Sequence, residues 1–219
     1  MTNPVIESVR RSLSRTGTRT ISGRTAQSAP SLRPDIYPPR QPESTNSEIE
    51  RFLSEIKKLS GVSDRFLPDG ISAALPALVS AQKIQKATVW ETSFLQKLNI
   101  ANIIHSLGVE LVSPNASKYE MALCDLGITE ADYLLPETGT IVLRSSAEMP
   151  RAVSLLPRIH LAVVRPEMLR ADMHQVFAEA KDSHYLVFIT GPSRTADIEL
   201  TTTLGVHGPK ELFVWMLEE

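Results

Sequence analysis

The chain has 219 residues, of which 42% are hydrophobic and 22% charged, and its formal net charge is −2. This composition is ordinary for one globular domain with or without an extension, and so small a charge gives no field that would recruit nucleic acid or an anionic membrane. The apolar runs are far shorter than the ~20 residues that cross a bilayer, so we expect no transmembrane segment and a cytoplasmic protein.

The sequence contains a single cysteine, Cys124. One thiol cannot form an internal disulfide, a cysteine-based zinc site or an iron–sulfur cluster ligated by this chain alone. We therefore expect the chain to bind no metal and no cofactor, and any redox work to depend on another component.

Residues 1–45 differ from the remainder of the chain. Residues 1–34 hold six arginines and one acidic residue, a bias that imitates an organelle transit peptide. Val5, Ile6, Val9 and Leu13 recur at helical spacing, so we favour an amphipathic helix, followed by a loop in which prolines recur up to Pro42. This division predicts an N-terminal helix and proline-rich arm over residues 1–45 and an α/β domain over residues 46–219.

Beyond the arm, apolar spacing predicts helices that alternate with short strands. Ser47 and Glu50 have the spacing of a capping box at the start of a helix, and Gly61 follows its end. A second helix over 71–84 contains Pro76, which requires either a kink or a start near Leu75. Further helices are expected around 100–107 and after Pro166, and strands at 62–67, 87–90, 109–112, 141–143, 159–164, 185–189 and 212–217. The alternation predicts an open, largely parallel sheet flanked by helices.

The segment Thr190 to Asp197 follows an apolar strand and contains Gly191, Ser193, Arg194 and Thr195. With Pro192 as the first residue of a helix, free backbone N–H groups, two hydroxyls and a guanidinium would lie at the carboxyl end of a strand. That arrangement suits a carboxylate or phosphate. Alternatively, the two hydroxyls only cap the helix and Arg194 pairs with Asp197 or Glu199.

Two further segments combine glycine with polar side chains. In Glu137-Thr138-Gly139-Thr140 the glycine permits a turn close to a ligand, although a plain turn between strands explains it equally. Between Gly205 and Gly208, His207 is able to act as an acid, a base or an anion donor near neutral pH, or it only shapes a turn.

The other histidines lack metal-ligand spacing, and His160 lies in an apolar strand, where a satisfied core histidine is the simpler interpretation. The sequence has no G-x-S-x-G elbow, no phosphate-binding P-loop and no dinucleotide-binding glycine motif. From the residues alone, the prediction is an α/β domain with an anion pocket.

Five segments follow one another in a distinctive order and spacing: Cys124 to Thr129, Glu137 to Thr140, Leu156 to His160, Gly191 to Glu199 and Gly205 to Pro209. Together they resemble the LUD family, and the resemblance is strongest over the last two. The resemblance covers roughly Ser47 to the C-terminus, and the helix at Val5 to Leu13 is similar to the opening helix of that family.

The resemblance implies a fold similar to the sugar-phosphate isomerase, CoA-transferase and formyltetrahydrofolate cyclo-ligase group, whose members bind anionic metabolites at strand ends. It also implies a role beside two iron–sulfur partner proteins that convert L-lactate to pyruvate, with the clusters in the partners. The alternatives are a free-standing enzyme that acts on an acyl or phosphorylated metabolite and, with less support, a regulatory sensor.

The candidate site residues follow from these segments. We expect them to converge on one pocket, with a small anionic metabolite as ligand. Candidate catalytic residues are Glu137, Asp197 and His207, and candidate anion-binding residues are Thr138, Gly139, Thr140, Gly191, Ser193, Arg194, Thr195 and Gly208.

Overall fold

A computed structural model of the chain describes residues 39–196, 202–205 and 207–218. The described residues all belong to one compact unit, which begins at Pro39. The predicted helix at Val5 to Leu13, most of the proline-rich arm and Asp197 lie outside the described residues.

The strands are numbered in chain order. They are β1 Val62–Phe66, β2 Lys86–Val89, β3 Glu110–Val112, β4 Leu126–Glu130, β5 Tyr133–Leu135, β6 Thr140–Ser145, β7 Ile159–Val164, β8 Tyr185–Ile189, β9 Arg194–Ala196, β10 Thr202–Leu204 and β11 Glu211–Leu217.

The helices are α1 Thr45–Lys58, α2 Ile71–Gln82, α3 Ser93–Lys97, α4 Ile100–Ser106, α5 Lys118–Met121, α6 Ala152–Leu155 and α7 Met173–Glu179. Short 3-10 helices lie at Pro68–Gly70 and Pro166–Met168.

Six strands form the main sheet in the order β1-β11-β7-β4-β2-β3, and each neighbouring pair is parallel. All six residues of β7 are buried, as expected for a strand with neighbours on both sides and helices against its faces. The prediction of an open, largely parallel sheet flanked by helices is confirmed.

The remaining strands are antiparallel. A three-stranded sheet has the order β5-β6-β8, and β9 pairs with β10. Residues 141–143 and 185–189 form strands as predicted, and they lie in this antiparallel sheet. The prediction of a helix after Pro192 is wrong, because that segment forms the strand β9. Ser193 and Thr195 therefore cap no helix.

The helix boundaries show which local signals decide them. Helix α1 begins three residues earlier than a Ser47 cap would place it, because the Ser44 side chain accepts a hydrogen bond from the Ser47 N–H and takes the capping role. Helix α2 begins at Ile71 and contains Pro76, which excludes the later start near Leu75.

Strand β4 lies between β2 and β7 and was not predicted from the sequence. Its residues Leu126 and Ile128 are fully buried, but Gly127 and Glu130 conceal the apolar pattern. A Cβ atom at Gly127 would lie 1.9 Å from the Val153 carbonyl oxygen on α6. The glycine therefore permits α6 to lie directly against the sheet.

None of the helices in the described part of the chain combines the length and apolar character that a bilayer crossing requires.

Candidate functional site

A cavity of about 190 Å³ lies at the amino end of the main sheet, where β7 and β11 begin. Its walls come from α6, from the first half of β7, from the connection between β8 and β9, and from the segment that leads into β11. Four of the predicted site residues line it, namely Gly191, Ser193, His207 and Gly208. We call it the amino-end cavity.

Backbone hydrogen bonds hold its two polar segments together. The Ser193 N–H donates to the Pro209 carbonyl at 2.9 Å, and the Gly205 N–H donates to the Ser193 carbonyl at 2.9 Å. A Cβ atom at Gly208 would lie 3.1 Å from Cβ of Ser193, so a larger residue would crowd this contact. The two segments that resemble the LUD family most strongly therefore form one wall.

His160 also lines the amino-end cavity and is 1% exposed. Its Nε2 lies 2.9 Å from the Thr129 hydroxyl on β4. Its Nδ1, in contrast, has no hydrogen-bond partner among the described residues. Burial lowers the pKa of His160 to about 3, so the imidazole is neutral at physiological pH. His160 is therefore a buried core histidine, as the sequence indicated, and of its two nitrogens only Nε2 has a partner among the described residues.

A chain of threonine hydroxyls runs beside the cavity. Oγ1 of Thr138 lies 2.7 Å from Oγ1 of Thr140, which lies 2.9 Å from Oγ1 of Thr190, a cavity-lining residue. Antiparallel pairing of β6 with β8 brings the start of one strand beside the end of the other. The 137–140 and 190–195 segments thus meet through this pairing, and not at the carboxyl ends of parallel strands.

Gly139 fixes the turn that begins this chain. Its φ is +59°, a region that favours glycine, and a Cβ atom there would lie 2.9 Å from the Ile56 backbone nitrogen. The turn therefore packs against the last turn of α1. Thr138 is exposed and Thr140 is buried.

Arg194 is not among the residues that line the amino-end cavity. Its side chain is exposed and donates to the Leu59 carbonyl and, at 3.1 Å, to the Ser60 hydroxyl, just beyond the end of α1. A cation here complements the negative end of the helix dipole. Asp197 and Glu199, the partners considered from the sequence, lie outside the described residues. Thr195 is half-buried in β9, opposite Thr203.

The three candidate catalytic residues do not form a described cluster. Glu137 is exposed and is not among the residues that line the amino-end cavity, whereas His207 is exposed at the cavity wall. Asp197 lies outside the described residues. The structure thus brings His207 to Gly191, Ser193 and Gly208 in the cavity wall, and Glu137 is not part of that wall.

The carboxyl end of the main sheet carries polar residues that were not predicted. The Thr92 hydroxyl donates to the Glu130 carboxylate at 2.9 Å, and burial raises the pKa of Glu130 although this bond opposes the shift. Nearby, the Arg165 guanidinium lies 4.1 Å from the Phe94 ring centroid, beside a cavity of about 530 Å³. Recognition of β4 as a strand would have marked Glu130, because polar residues at strand ends are frequent ligand contacts.

Within the described ranges, no three His, Cys, Asp or Glu side chains lie close enough to share a metal ion. That the chain binds neither metal nor cofactor stays a prediction.

An open parallel six-stranded sheet with flanking helices, and a small partly polar cavity at its amino end, define an α/β protein of the open-sheet class. The chain belongs to the LUD domain family, whose model matches residues 44–217. This confirms the resemblance that the sequence motifs indicated.

Curated relatives carry the name lactate utilization protein C. The protein from Halalkalibacterium halodurans is 43% identical over 126 residues, which cover 54% of this chain and 52% of the relative. The protein from Shouchella clausii is 31% identical over 149 residues, which cover 64% of this chain and 65% of the relative. The match to the Bacillus subtilis protein is 41% over 103 residues, 43% of this chain and 42% of the relative. The chain thus spans roughly half the length of the relatives it matches.

Among solved structures, a DUF162 family protein from Deinococcus radiodurans superposes with a TM-score of 0.60 at 20% identity, covering 81% of this chain and all of that protein. This similarity supports the fold alone. Similarity to the isomerase and CoA-transferase group stays a prediction.

Proposed function

We propose that this chain is a component of a bacterial L-lactate utilisation system and assists the oxidation of L-lactate to pyruvate. The observation that carries the proposal is the LUD match over residues 44–217, together with relatives named lactate utilization protein C at 31 to 43% identity. We further propose that it acts in the cytoplasm.

Oxidation of L-lactate to pyruvate removes two electrons and two protons, one hydrogen from the hydroxyl group and one from the carbon that bears it. We assign the electrons to iron–sulfur clusters in partner proteins, which accept them one at a time. The chain itself offers one thiol, Cys124, and burial raises the pKa of this thiol to about 11. A protonated, buried thiol is a poor metal ligand and a poor nucleophile, which is consistent with a clusterless subunit.

The proposed place for the small anionic metabolite is the amino-end cavity. Ser193, His207 and the glycines 191 and 208 line it, and they belong to the segments most typical of the family. Serine hydroxyl and imidazole N–H groups donate to carboxylate oxygens, and the glycines let backbone approach a ligand closely. These groups support a role in binding the anion, and we assign to them no part in the removal of hydrogen from L-lactate.

Reconstitution tests this function. The chain is purified together with the two proposed iron–sulfur partner proteins, and L-lactate oxidation is measured with an artificial electron acceptor. We expect turnover and pyruvate formation only when all three proteins are present. Equal turnover by the two partners alone would contradict the proposal.

The alternative, a free-standing enzyme acting on an acyl or phosphorylated metabolite, has less support from the cavity. No lysine or arginine is among the residues that line the amino-end cavity in the described part of the chain, whereas a phosphate dianion is usually bound by such cations. Turnover of a phosphorylated or acyl substrate by the chain alone, without partner proteins, would favour this alternative.

A further inference from the structure

His160 holds a position on the main sheet that directs its side chain toward α6. It is paired with Gly127 on β4 and with Leu212 on β11. Paired residues on neighbouring strands point to the same face, and the backbone of α6 lies against that face at Gly127. Ser154 and Leu155 of α6 and Leu212 line the cavity together with His160. The imidazole therefore lies at the floor of the amino-end cavity, under α6.

The two ring nitrogens of His160 differ in their surroundings. Nε2 lies 2.9 Å from the Thr129 hydroxyl, which fixes the ring, and Nδ1 is buried without a partner in the described part of the chain. A buried polar atom without a hydrogen bond costs free energy, so such an atom usually pairs with an ordered water or a ligand. If the Thr129 hydroxyl donates to Nε2, the neutral ring carries its proton on Nδ1 and donates from there.

The size and walls of the cavity restrict the ligand. Its volume of about 190 Å³ is below the 300 to 1,000 Å³ typical of pockets for drug-sized molecules. It equals the space of roughly six water molecules at about 30 Å³ each. Apolar side chains such as Val187, Ile189 and Leu212 share the walls with Ser193 and His207. A three-carbon acid with one apolar methyl group and one carboxylate matches this mixture.

We propose that His160 is a ligand-binding residue whose Nδ1–H donates a hydrogen bond to the carboxylate of a small 2-hydroxy or 2-oxo acid in the amino-end cavity. This inference rests on the proposed function and names the ligand class of its site. It assigns to His160 the recognition of the acid, with Thr129 as the positioning residue that selects the tautomer and fixes the ring.

Two substitutions separate the two nitrogens. The amide of His160→Asn reaches the place of Nδ1, and the amide of His160→Gln reaches the place of Nε2 beside Thr129. Binding of L-lactate, pyruvate and inorganic phosphate to the purified variants is measured by calorimetry, together with thermal melts and turnover in the reconstituted lactate-oxidising assay. His105→Gln on α4, an exposed histidine, is the matched control.

We expect His160→Gln to weaken L-lactate or pyruvate binding roughly tenfold or more, the effect of losing one hydrogen bond to a charged group. The fold should be retained in this variant, and His160→Asn should bind more tightly than His160→Gln. If wild type supports lactate oxidation and His160→Gln matches it in binding and KM, the His160 assignment is overturned while the function stands. If wild type supports no lactate oxidation and binds neither acid, both proposals fail. If the protein binds inorganic phosphate and His160→Gln leaves that binding unchanged, the proposed ligand class is overturned.

Discussion

The two ends of the main sheet differ in what they carry. At the carboxyl end, where ligands of open α/β sheets usually bind, lie the larger cavity and the half-buried pair of Glu130 and Thr92. At the amino end lie a smaller cavity, two glycine-rich segments and a buried histidine with one free nitrogen in the described structure. The cavity lined by Gly191, Ser193, His207 and Gly208 thus lies at the end that the general rule does not favour.

The antiparallel strands explain why the candidate site lies at the amino end of the main sheet. Strand β8 belongs to the three-stranded sheet and ends beside the start of β6, and the chain then turns toward the beginning of β11. The carboxyl end of β8 is therefore next to the amino end of the parallel sheet. If cavity size were the only criterion, the candidate site would be placed at the carboxyl end.

Gly127→Ala should have the largest effect on stability, because it disturbs the contact between α6 and the main sheet beside the amino-end cavity. The new methyl group would lie 1.9 Å from the Val153 carbonyl oxygen, so α6 has to move away from the sheet and from the amino-end cavity. We expect a loss of about 3 kcal/mol in the free energy of unfolding, measured by urea denaturation.

Gly70→Ala is the matched control, because its Cβ atom would meet only the Phe66 side chain, at 3.4 Å. It should change stability by less than about 1 kcal/mol. Equal stability of the two variants would show that α6 does not need its close contact with Gly127.

Ser193→Ala and Glu130→Gln compare the two ends directly. Ser193 lines the amino-end cavity, whereas Glu130 lies at the carboxyl end of β4. Loss of a hydroxyl that donates to a charged ligand weakens binding roughly tenfold. We therefore expect Ser193→Ala to raise the KM for L-lactate about tenfold in the reconstituted system, and Glu130→Gln to change it less than about twofold. The reverse order would move the site to the carboxyl end.

Arg194→Ala tests whether Arg194 belongs to the binding site or only stabilises the end of α1. Because the guanidinium donates to the Leu59 carbonyl and the Ser60 hydroxyl beyond α1, its loss should lower the free energy of unfolding by about 0.5 to 1 kcal/mol. Thermal melts and L-lactate binding are measured together. A loss of binding in both Arg194→Ala and Arg194→Lys, with unchanged melting, would instead support the anion fork predicted from the sequence.

The pH dependence of stability at the carboxyl end should be the smallest effect. Burial raises the folded pKa of Glu130 above its unfolded value, with the Thr92 hydrogen bond in partial opposition. Its protonated form therefore stabilises the fold below the unfolded pKa, and that contribution is lost as pH rises through the folded pKa.

Glu130→Gln lacks this titration. Relative to wild type, its free energy of unfolding should increase as pH rises from the unfolded pKa of a glutamate, about 4.3, toward neutral pH, by less than about 1 kcal/mol. A difference between the two proteins that stays constant over this range in urea denaturation would contradict the burial of the ionised group.

The sequence predicted the main sheet well because its strands 159–164 and 212–217 are continuous apolar runs of the kind that central parallel strands require. It missed β4, since Gly127 and Glu130 interrupt the pattern for reasons that lie on neighbouring elements. It also placed a helix after Pro192, where pairing of β9 with β10 prevails over local preference.

For the site, the motifs brought attention to Gly191, Ser193, His207 and Gly208, which line one cavity. The unpaired Nδ1 of His160 was hidden, because an apolar strand gives no sign that one nitrogen of a buried ring has no partner among the described residues. The turn of Arg194 toward α1 was hidden as well, since its contacts Leu59 and Ser60 are more than a hundred residues away in the chain.

The central claim is that the small acid binds at the amino end of the main sheet. A crystal structure of the protein with pyruvate tests it most directly. We predict density for pyruvate in the amino-end cavity, with a carboxylate oxygen within hydrogen-bond distance of His160 Nδ1 and with Ser193 beside it. Pyruvate density at the carboxyl end, next to Glu130 and Arg165, with the amino-end cavity free of it, would contradict the account.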